Sequence, residues 1–397
     1  MKPIKIYAEL LEKEALIQFE AAMSLTCNVQ GALMPDAHTG YTLPIGAVIK
    51  SKERVFPSYV GYDIGCGMCA VKLDMTQEAL DIEALKAQIL NTIPLGVAKH
   101  STPQSYTPLP CTPITKKFYE EVGQYQLGTL GGGNHFIELG TGKDSNVWIV
   151  IHSGSRGFGK KVAEHYMYEA VLESIDREVF EKEFEEANAS FKTHNPGRFE
   201  SAKQTYVTKK VQATSKASLE THASFNIHSP KGKAYLLDME CALAFALANR
   251  QAMVRRIVDL MGNPKELLFI NRNHNHAELK EGYVIHRKGA THAEVDMLGV
   301  IPGNMRDGSF IVKGKGNEEA LYSSSHGAGR VLSRSKALSS LNVGDFYEDM
   351  KGITTNHTPE TLDESPRAYK DIFEVMALQK ELVDVIDHVK PFLNIKG

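Results

Sequence analysis

Along the chain, short apolar runs end again and again in glycine-rich polar loops. Ala47–Ile49, Tyr59–Val60 ahead of Gly61, and Val147–Ile151 ahead of His152 are the plainest cases. Runs of this length, rich in β-branched or aromatic residues and closed by turn formers, predict buried strands ending in loops. From Gly159 to about Lys216 the character changes to Glu, Lys and Ala, with Val162, Tyr166, Ala170, Val171 and Ile175 at helical spacing. That spacing predicts a helical excursion with Asn195-Pro196-Gly197 as its turn. A second helix is predicted over Ala234–Leu260, closing near Gly262-Asn263-Pro264. Glycines and short strands return over Phe269–Lys315, and a last helix is predicted over roughly Asp371–His388, before a strand-like end at Phe392–Gly397. No internal repeat or low-complexity linker divides the sequence. The pattern predicts one α+β domain over residues 1–397, with a helical insertion at roughly 159–220.

Composition narrows the function only a little. At 397 residues, 42% hydrophobic and 23% charged, the chain has the make-up of an ordinary globular protein. Its formal charge is -3, from 45 basic and 48 acidic residues, so any phosphate-binding surface must be a local patch. Met1–Leu25 carries Lys2, Lys5, Glu9, Glu12 and Glu14 among its apolar positions, which excludes a signal peptide. No apolar run approaches membrane-spanning length, so no membrane partner is expected. Five cysteines are an odd and sparse set, which argues against a disulfide framework and for a reduced, cytoplasmic setting.

The chemistry gathers in five loops: Gly61-Tyr62-Asp63-Ile64-Gly65-Cys66-Gly67-Met68-Cys69, Gly131-Gly132-Gly133-Asn134-His135-Phe136, His152-Ser153-Gly154-Ser155-Arg156-Gly157, Asn271-Arg272-Asn273-His274-Asn275-His276 and Ser325-His326-Gly327-Ala328-Gly329-Arg330. Asp, Cys and His are ligands for a borderline or transition metal, and glycines let the backbone crowd around one. A lone His is more often structural than ligating, but four such loops favour a metal site, and one thiolate can bridge two ions. Cys66 and Cys69 also form C-x-x-C, yet neither a thioredoxin-like context nor a second ligand pair accompanies them. Cys66 is expected to act alone and Cys69 to be a packing residue. Gly154–Lys161 mimics a phosphate loop but puts Lys161 where Ser or Thr should bind magnesium, so only a helix start with Arg156 survives as an anion site. Basic residues beside the loops (Arg156, His286-Arg287-Lys288, Arg330, Arg334) suggest a phosphate-binding strip rather than a merely solvated face. His326 is either a further ligand or a covalent nucleophile toward phosphorus.

At these loops the chain resembles the RtcB family of RNA ligases. The resemblance covers nearly the whole sequence. It rests on Met34-Pro35-Asp36-Ala37-His38, Asp63-Ile64-Gly65-Cys66-Gly67-Met68, Gly133-Asn134-His135-Phe136 and His152–Gly157, and further on His286-Arg287-Lys288-Gly289-Ala290, Ser325–Arg330, Ala368-Tyr369-Lys370 and the final Lys396-Gly397. It implies an α+β fold of the RtcB type, with mixed sheets around a central metal and nucleotide cleft. It further implies two manganese ions held by Asp63, Cys66 (bridging), His135, His152 and His274, the last chosen over His276 because Asn275 follows it. His326 would become guanylylated by GTP, with Asn134 beside it. Asn134, Phe136, Glu138, Asn304, Ser309, Tyr369 and Lys396 would hold the nucleotide, and Arg156, Lys288, Arg330 and Arg334 the RNA phosphates.

The implied reaction joins an RNA 3′-phosphate or 2′,3′-cyclic phosphate end to a 5′-hydroxyl end, in RNA repair or tRNA splicing. An archease-type activating protein is a candidate partner. Three departures stand out: Thr42 replaces a loop glycine, and Asn304 and Arg306 replace a serine and a glycine, the latter putting a long cation near the expected nucleotide loop. They point to a paralogue with altered nucleotide or RNA preference. The enzymatic rival is a dinuclear metal phosphoesterase acting on RNA ends, and the non-enzymatic rival is an RNA-binding module with a structural metal.

Overall fold

In the computed structural model, which describes residues 2–217 and 219–397, two sheets carry the fold. A five-stranded sheet runs in the order Ile4–Ile6, Asn28–His38, Ile45–Lys52, Tyr283–Lys288, Asn275–Lys280, parallel only at its first pair. An eight-stranded sheet runs Leu298–Pro302, Ser309–Gly314, Val383–Lys396, Phe136–Thr141, Asn146–Ser153, Gly67–Thr76, Glu266–Asn273, with Thr354–Thr355 beside the C-terminal strand. The Val147–Ile151 run forms the fully buried middle of Asn146–Ser153, as expected for a strand covered on both faces. Ala47–Ile49 likewise lies buried within Ile45–Lys52.

The insertion is helical, as Arg156–Ser174, Arg177–Ala187, Ala189–His194 and Pro196–Ala217, with the expected turn placing Pro196 at the start of the last. The long helix Pro230–Leu260 begins where Ser229 accepts a hydrogen bond from the Gly232 amide and Pro230 takes the first turn. It stops at Met261–Gly262, where Gly262 turns to φ 81°. Its Met253, Val254 and Ile257 pack with Ile137, Ile149 and Ile151 of the sheet and with Leu393 and Ile395 of the C-terminal strand. Each such buried side chain contributes roughly 1.5–3 kcal/mol, so the chain's end is anchored in the core.

Two local expectations fail. Tyr59–Val60 is not a strand but part of the one-turn helix Pro57–Val60, because Pro57 opens a turn and Gly61 ends it four residues later. The helix expected over Asp371–His388 spans only Ile372–Ala377, capped by Asp371 on the Phe373 amide. From Val383 the chain is instead a strand to Lys396, pairing with Ser309–Gly314 and then with Phe136–Thr141. Long-range pairing on both sides outweighs the local helical spacing.

Candidate active site

Four neighbouring strands of the large sheet are antiparallel, so the start of one lies beside the end of the next. His135 immediately precedes Phe136–Thr141, His152 lies near the end of Asn146–Ser153, Cys66 precedes Gly67–Thr76, and His274 follows Glu266–Asn273. The register Phe136↔His152↔Met68, with Gly67↔Asn273, sets all four at one edge. There Cys66 Sγ lies 3.2 Å from His152 Nε2 and 3.4 Å from His135 Nε2. His152 Nε2 lies 3.2 Å from His274 Nε2, and His135 Nε2 lies 3.0 Å from Asp63 Oδ2. The ligand-type atoms therefore form two triads, Asp63–Cys66–His135 and Cys66–His152–His274, that share the sulfur. Gly154 makes this approach possible: a Cβ there would sit 2.1 Å from Asp63 Oδ1.

The imidazoles are set for ligation. His135 Nδ1 donates to the Leu130 carbonyl at 3.0 Å and His152 Nδ1 to the Asn134 carbonyl at 3.1 Å, which leaves each Nε2 lone pair facing Cys66. Burial, then neighbouring imidazoles, holds His152 and His274 well below the usual histidine range, so both are neutral. Burial, then Asp63, pushes the Cys66 thiol up; a divalent cation reverses that field and draws off the proton. Asp63 Oδ1 and His274 Nδ1 are buried without a hydrogen-bond partner. Converging lone pairs, one shared sulfur and an orphaned carboxylate oxygen fit a pair of transition-metal ions.

Beside this edge opens a cleft of about 680 Å³ lined by Asp63, Cys66, His152 and His274 on one side and by His326, Arg330, Arg334, Tyr369 and Lys396 on the other. The His326 ring stands edge-on to His274 with centroids 4.8 Å apart. Its Nδ1 lies 2.6 Å from Oδ2 of the fully buried Asp36, which also accepts from the amides of His326 and Gly327. Burial pushes the Asp36 carboxyl up, but His326 outweighs it and holds the group below its ordinary value, so it stays ionised. An ionised Asp36 fixes the His326 proton on Nδ1 and leaves the Nε2 lone pair free.

The family profile described as tRNA-splicing ligase RtcB matches residues 18–118 and 110–397 of this chain. The chain belongs to the RtcB family. It is 32% identical to the RNA-splicing ligase RtcB of Escherichia coli strain K12, covering 92% of this chain and 90% of that protein. It is 27% identical to the tRNA-splicing ligase RtcB of Nanoarchaeum equitans over 100% of this chain and 95% of that protein. A protein named RNA-splicing ligase RtcB2, from another Escherichia coli strain, is 26% identical over 98% of this chain.

The remaining positions expected of an RtcB protein are placed unevenly. Asn134, Phe136, Lys288 and Asn304 lie on the cleft wall. Glu138 and Ser309 lie behind it, near Asn394, and Glu138 Oε1, Ser309 Oγ and Asn394 Oδ1 are all buried without a hydrogen-bond partner. Burial raises the Glu138 carboxyl to about 8 against the opposing pull of Lys396 and of Asn394, whose Nδ2 donates to Glu138 Oε2 at 3.3 Å. Arg156 is turned inward: its guanidinium donates to Gly96 O at 2.9 Å and to Thr129 Oγ1 at 3.3 Å. Lys288 Nζ donates to Ser58 O at 3.0 Å, and burial lowers its pKa to about 8. The Asn304 side chain ties its own loop to Arg306 N and Asp307. Arg306 follows Asn304 and Met305 of the cleft wall but does not itself line the cleft; it pairs with Asp307 at 2.8 Å and Asp349 at 3.7 Å.

Four residues to which the sequence assigned no role hold the site together. Asp36 orients His326 as described. On the long helix, buried Arg250 donates to Gly65 O, Ser153 O, Asn271 Oδ1 and Asn273 Oδ1, pinning three ligand loops from behind. Asn249 beside it bonds Gly128, Thr129, Ser153 and Gly154, which fixes the loop leading to His135. A polar pair inside an otherwise apolar helix stripe was the signal for these two. Glu364 meets four groups of the cleft and is taken up below.

A third group of ligand-type residues, His276, Glu278 and His292, also lies within ligand range. Its two rings are stacked, 4.8 Å apart at 16°, so their in-plane lone pairs do not converge. The buried Arg287 guanidinium already meets Glu278 at 2.6 Å and His276 Nε2 at 3.3 Å. This group is built around an arginine. No helix among the described residues is long and apolar enough to cross a membrane.

Proposed function

We propose that this chain is an RNA ligase that uses GTP and manganese to join an RNA 3′-phosphate to a 5′-hydroxyl, opening a 2′,3′-cyclic phosphate first. The names of its relatives support RNA ligation in splicing, and RNA repair is the alternative setting for the same joining reaction. The observation that carries the covalent route is His326: an imidazole outside both ligand triads, oriented by a buried ionised Asp36 and facing the cleft. A phosphoesterase that activates water on its metals would use such a residue for proton transfer alone and would carry no covalent GMP on it.

In this reading His326 Nε2 attacks the α-phosphorus of GTP. An N–P bond forms, the bond to the β-phosphate oxygen breaks, and pyrophosphate leaves while Asp36 offsets the charge gained by the ring. Manganese ions held by Asp63, Cys66, His135, His152 and His274 supply neutralisation of the phosphoryl charge. An oxygen of the RNA 3′-phosphate then takes the GMP and frees His326. The 5′-hydroxyl finally attacks the activated 3′-phosphorus, and GMP departs. Glu138 and Ser309, with their unmet buried acceptors, suit the N–H donors of guanine; Lys396, Tyr369, Phe136, Asn134 and Asn304 complete the nucleotide side. Lys288, Arg330 and Arg334 serve the RNA phosphates, with Arg156 bracing the loop beneath.

A single-turnover assay with 3′-phosphate and 5′-hydroxyl RNAs, GTP and manganese tests this. Joined RNA that requires GTP is the expected result. Release of inorganic phosphate without joining would replace the ligase by the phosphoesterase.

A further inference from the structure

Glu364 lies in none of the ligand loops, yet each group around it faces the cleft. It ends the short 3-10 turn Pro359–Glu364 and is 2% exposed. Its Oε1 accepts from Arg330 Nη1 at 3.2 Å and Arg334 Nη1 at 2.6 Å. Its Oε2 accepts from Lys396 Nζ at 2.7 Å and Tyr369 OH at 2.6 Å. An ionised carboxylate offers about four lone-pair sites, and these four donors use them. Glu364 therefore binds no ligand itself; it organises groups that do.

The two oxygens divide the cleft. On the Oε2 side are the residues read above as nucleotide contacts, and on the Oε1 side those read as RNA-phosphate contacts. We propose that Glu364 is a positioning residue that couples the two halves, holding Lys396 and Tyr369 in place while keeping Arg330 and Arg334 charge-balanced until a phosphate takes them over. The inference rests on the functional reading just given and extends it to a residue outside the ligand and nucleotide sets.

The gradient of exposure supports an exchange at one end only. The side chains of Lys396 and Glu364 are buried, Arg330 is 14% exposed and Arg334 44%. An arriving phosphate can draw the arginines outward, while Lys396 has nowhere else to go. Asp363 also meets Arg334, at 2.5 Å. Three cations against two carboxylates still leave a positive balance that suits an anion. Burial pushes the Glu364 carboxyl up, but Lys396 and Arg334 outweigh it and hold it at about 2, so the balance does not change near neutral pH. The lysine's backbone is fixed separately: Asn356 donates to Lys396 O and accepts from Lys396 N, both at 2.8 Å. Neutralising Glu364 thus leaves the chain's end docked.

Two probes separate coupling from a simple structural ion pair: guanosine, which carries no charge, and a short RNA ending in a 3′-phosphate. In the full chain, Glu364→Gln should weaken guanosine binding about tenfold, since Lys396 and Tyr369 lose their charged acceptor. The same variant should bind the RNA about five- to tenfold more tightly at low salt and with a steeper salt dependence, because Arg330 and Arg334 lose the Glu364 charge and only Asp363 still offsets Arg334. Glu364→Asp should return RNA affinity toward the wild type. Weakening of both probes together with a lower melting temperature would make Glu364 a structural staple and overturn the proposal. So would a change in only one affinity, or in neither. A wild-type chain that binds both probes but joins no RNA would overturn the ligase reading alone; one that binds neither would overturn both.

Discussion

Around Cys66, two imidazoles meet one sulfur and a third meets one of them, with Arg250 turned to the backbone and amide oxygens behind them. Around Arg287, two imidazoles and two carboxylates surround a buried guanidinium. Both groups bring imidazoles and a carboxylate within ligand range, the first adding a thiol, and they lie next to one another in the chain at His274 and His276. What separates them is not the number of ligands but where the lone pairs point and which cation the fold itself supplies. Nδ1–H bonds from His135 and His152 to backbone carbonyls suit the first group to ions. In the second, the arginine satisfies the carboxylates and the rings stack.

The strongest challenge to this contrast is to remove one residue from each group. Cys66→Ala should lose both manganese ions and abolish ligation, because the shared sulfur belongs to both triads, whereas His276→Ala should keep the metal. Metal analysis of the purified variants checks this, and equal loss in both would dissolve the distinction. Next in size, Arg287→Met should destabilise the fold by about 3–5 kcal/mol, since it leaves buried acceptors and carboxylates without their cation. Metal at the Cys66 loops should persist in that variant at permissive temperature. Acid titration sharpens the point. Burial pushes the Glu294 carboxyl up, but His292 and Arg287 hold it at about 2, below its ordinary 4.5. A depressed carboxyl contributes stability that is present above its unfolded pKa and lost as pH falls through its folded one. The wild type should therefore lose this contribution between about pH 4.5 and 2, and Arg287→Met should show less of the loss in unfolding curves.

A smaller effect is expected at the C-terminus. Removing Lys396 and Gly397 should slow GMP-adduct formation roughly 10- to 100-fold, the cost of one charged hydrogen bond of ~1.5–3 kcal/mol. The melting temperature should fall little, because Leu393 and Ile395 remain in the core. A collapsed melt would make the tail structural. Smallest of all, Cys69→Ala should leave metal content unchanged and cost roughly 1 kcal/mol of stability. Cys69 is fully buried within the sheet, facing the Ile137 and Ile151 cluster. Metal loss in this variant would restore a paired role for the two cysteines.

The ligand loops were legible because a strand run and its polar end are contiguous: Val147–Ile151 announces its own edge, and His152 follows at once. The helical insertion was legible for the same reason, its spacing being local. The Val383–Lys396 strand was not, because its place depends on partners some 70 and 250 positions earlier in the chain, at Ser309–Gly314 and Phe136–Thr141. The roles of Asp36, Arg250 and Glu364 were not legible, on similar grounds. Each looks like an ordinary polar residue in its own segment and gains its role only from groups brought to it by folding. Arg156 shows a related limit: a basic residue in a glycine-rich loop reads as a phosphate ligand, while the fold also directs two of its donors to Gly96 and Thr129.

The account turns on His326 as the residue that carries GMP, and intact-protein mass spectrometry after incubation with GTP and manganese addresses it directly. The wild type should gain one GMP that is stable to alkali and released by acid, as a phosphoramidate is, and His326→Ala should gain none while retaining its metal. A GMP adduct on His326→Ala, or no adduct on a metal-loaded, RNA-joining wild type, would contradict it.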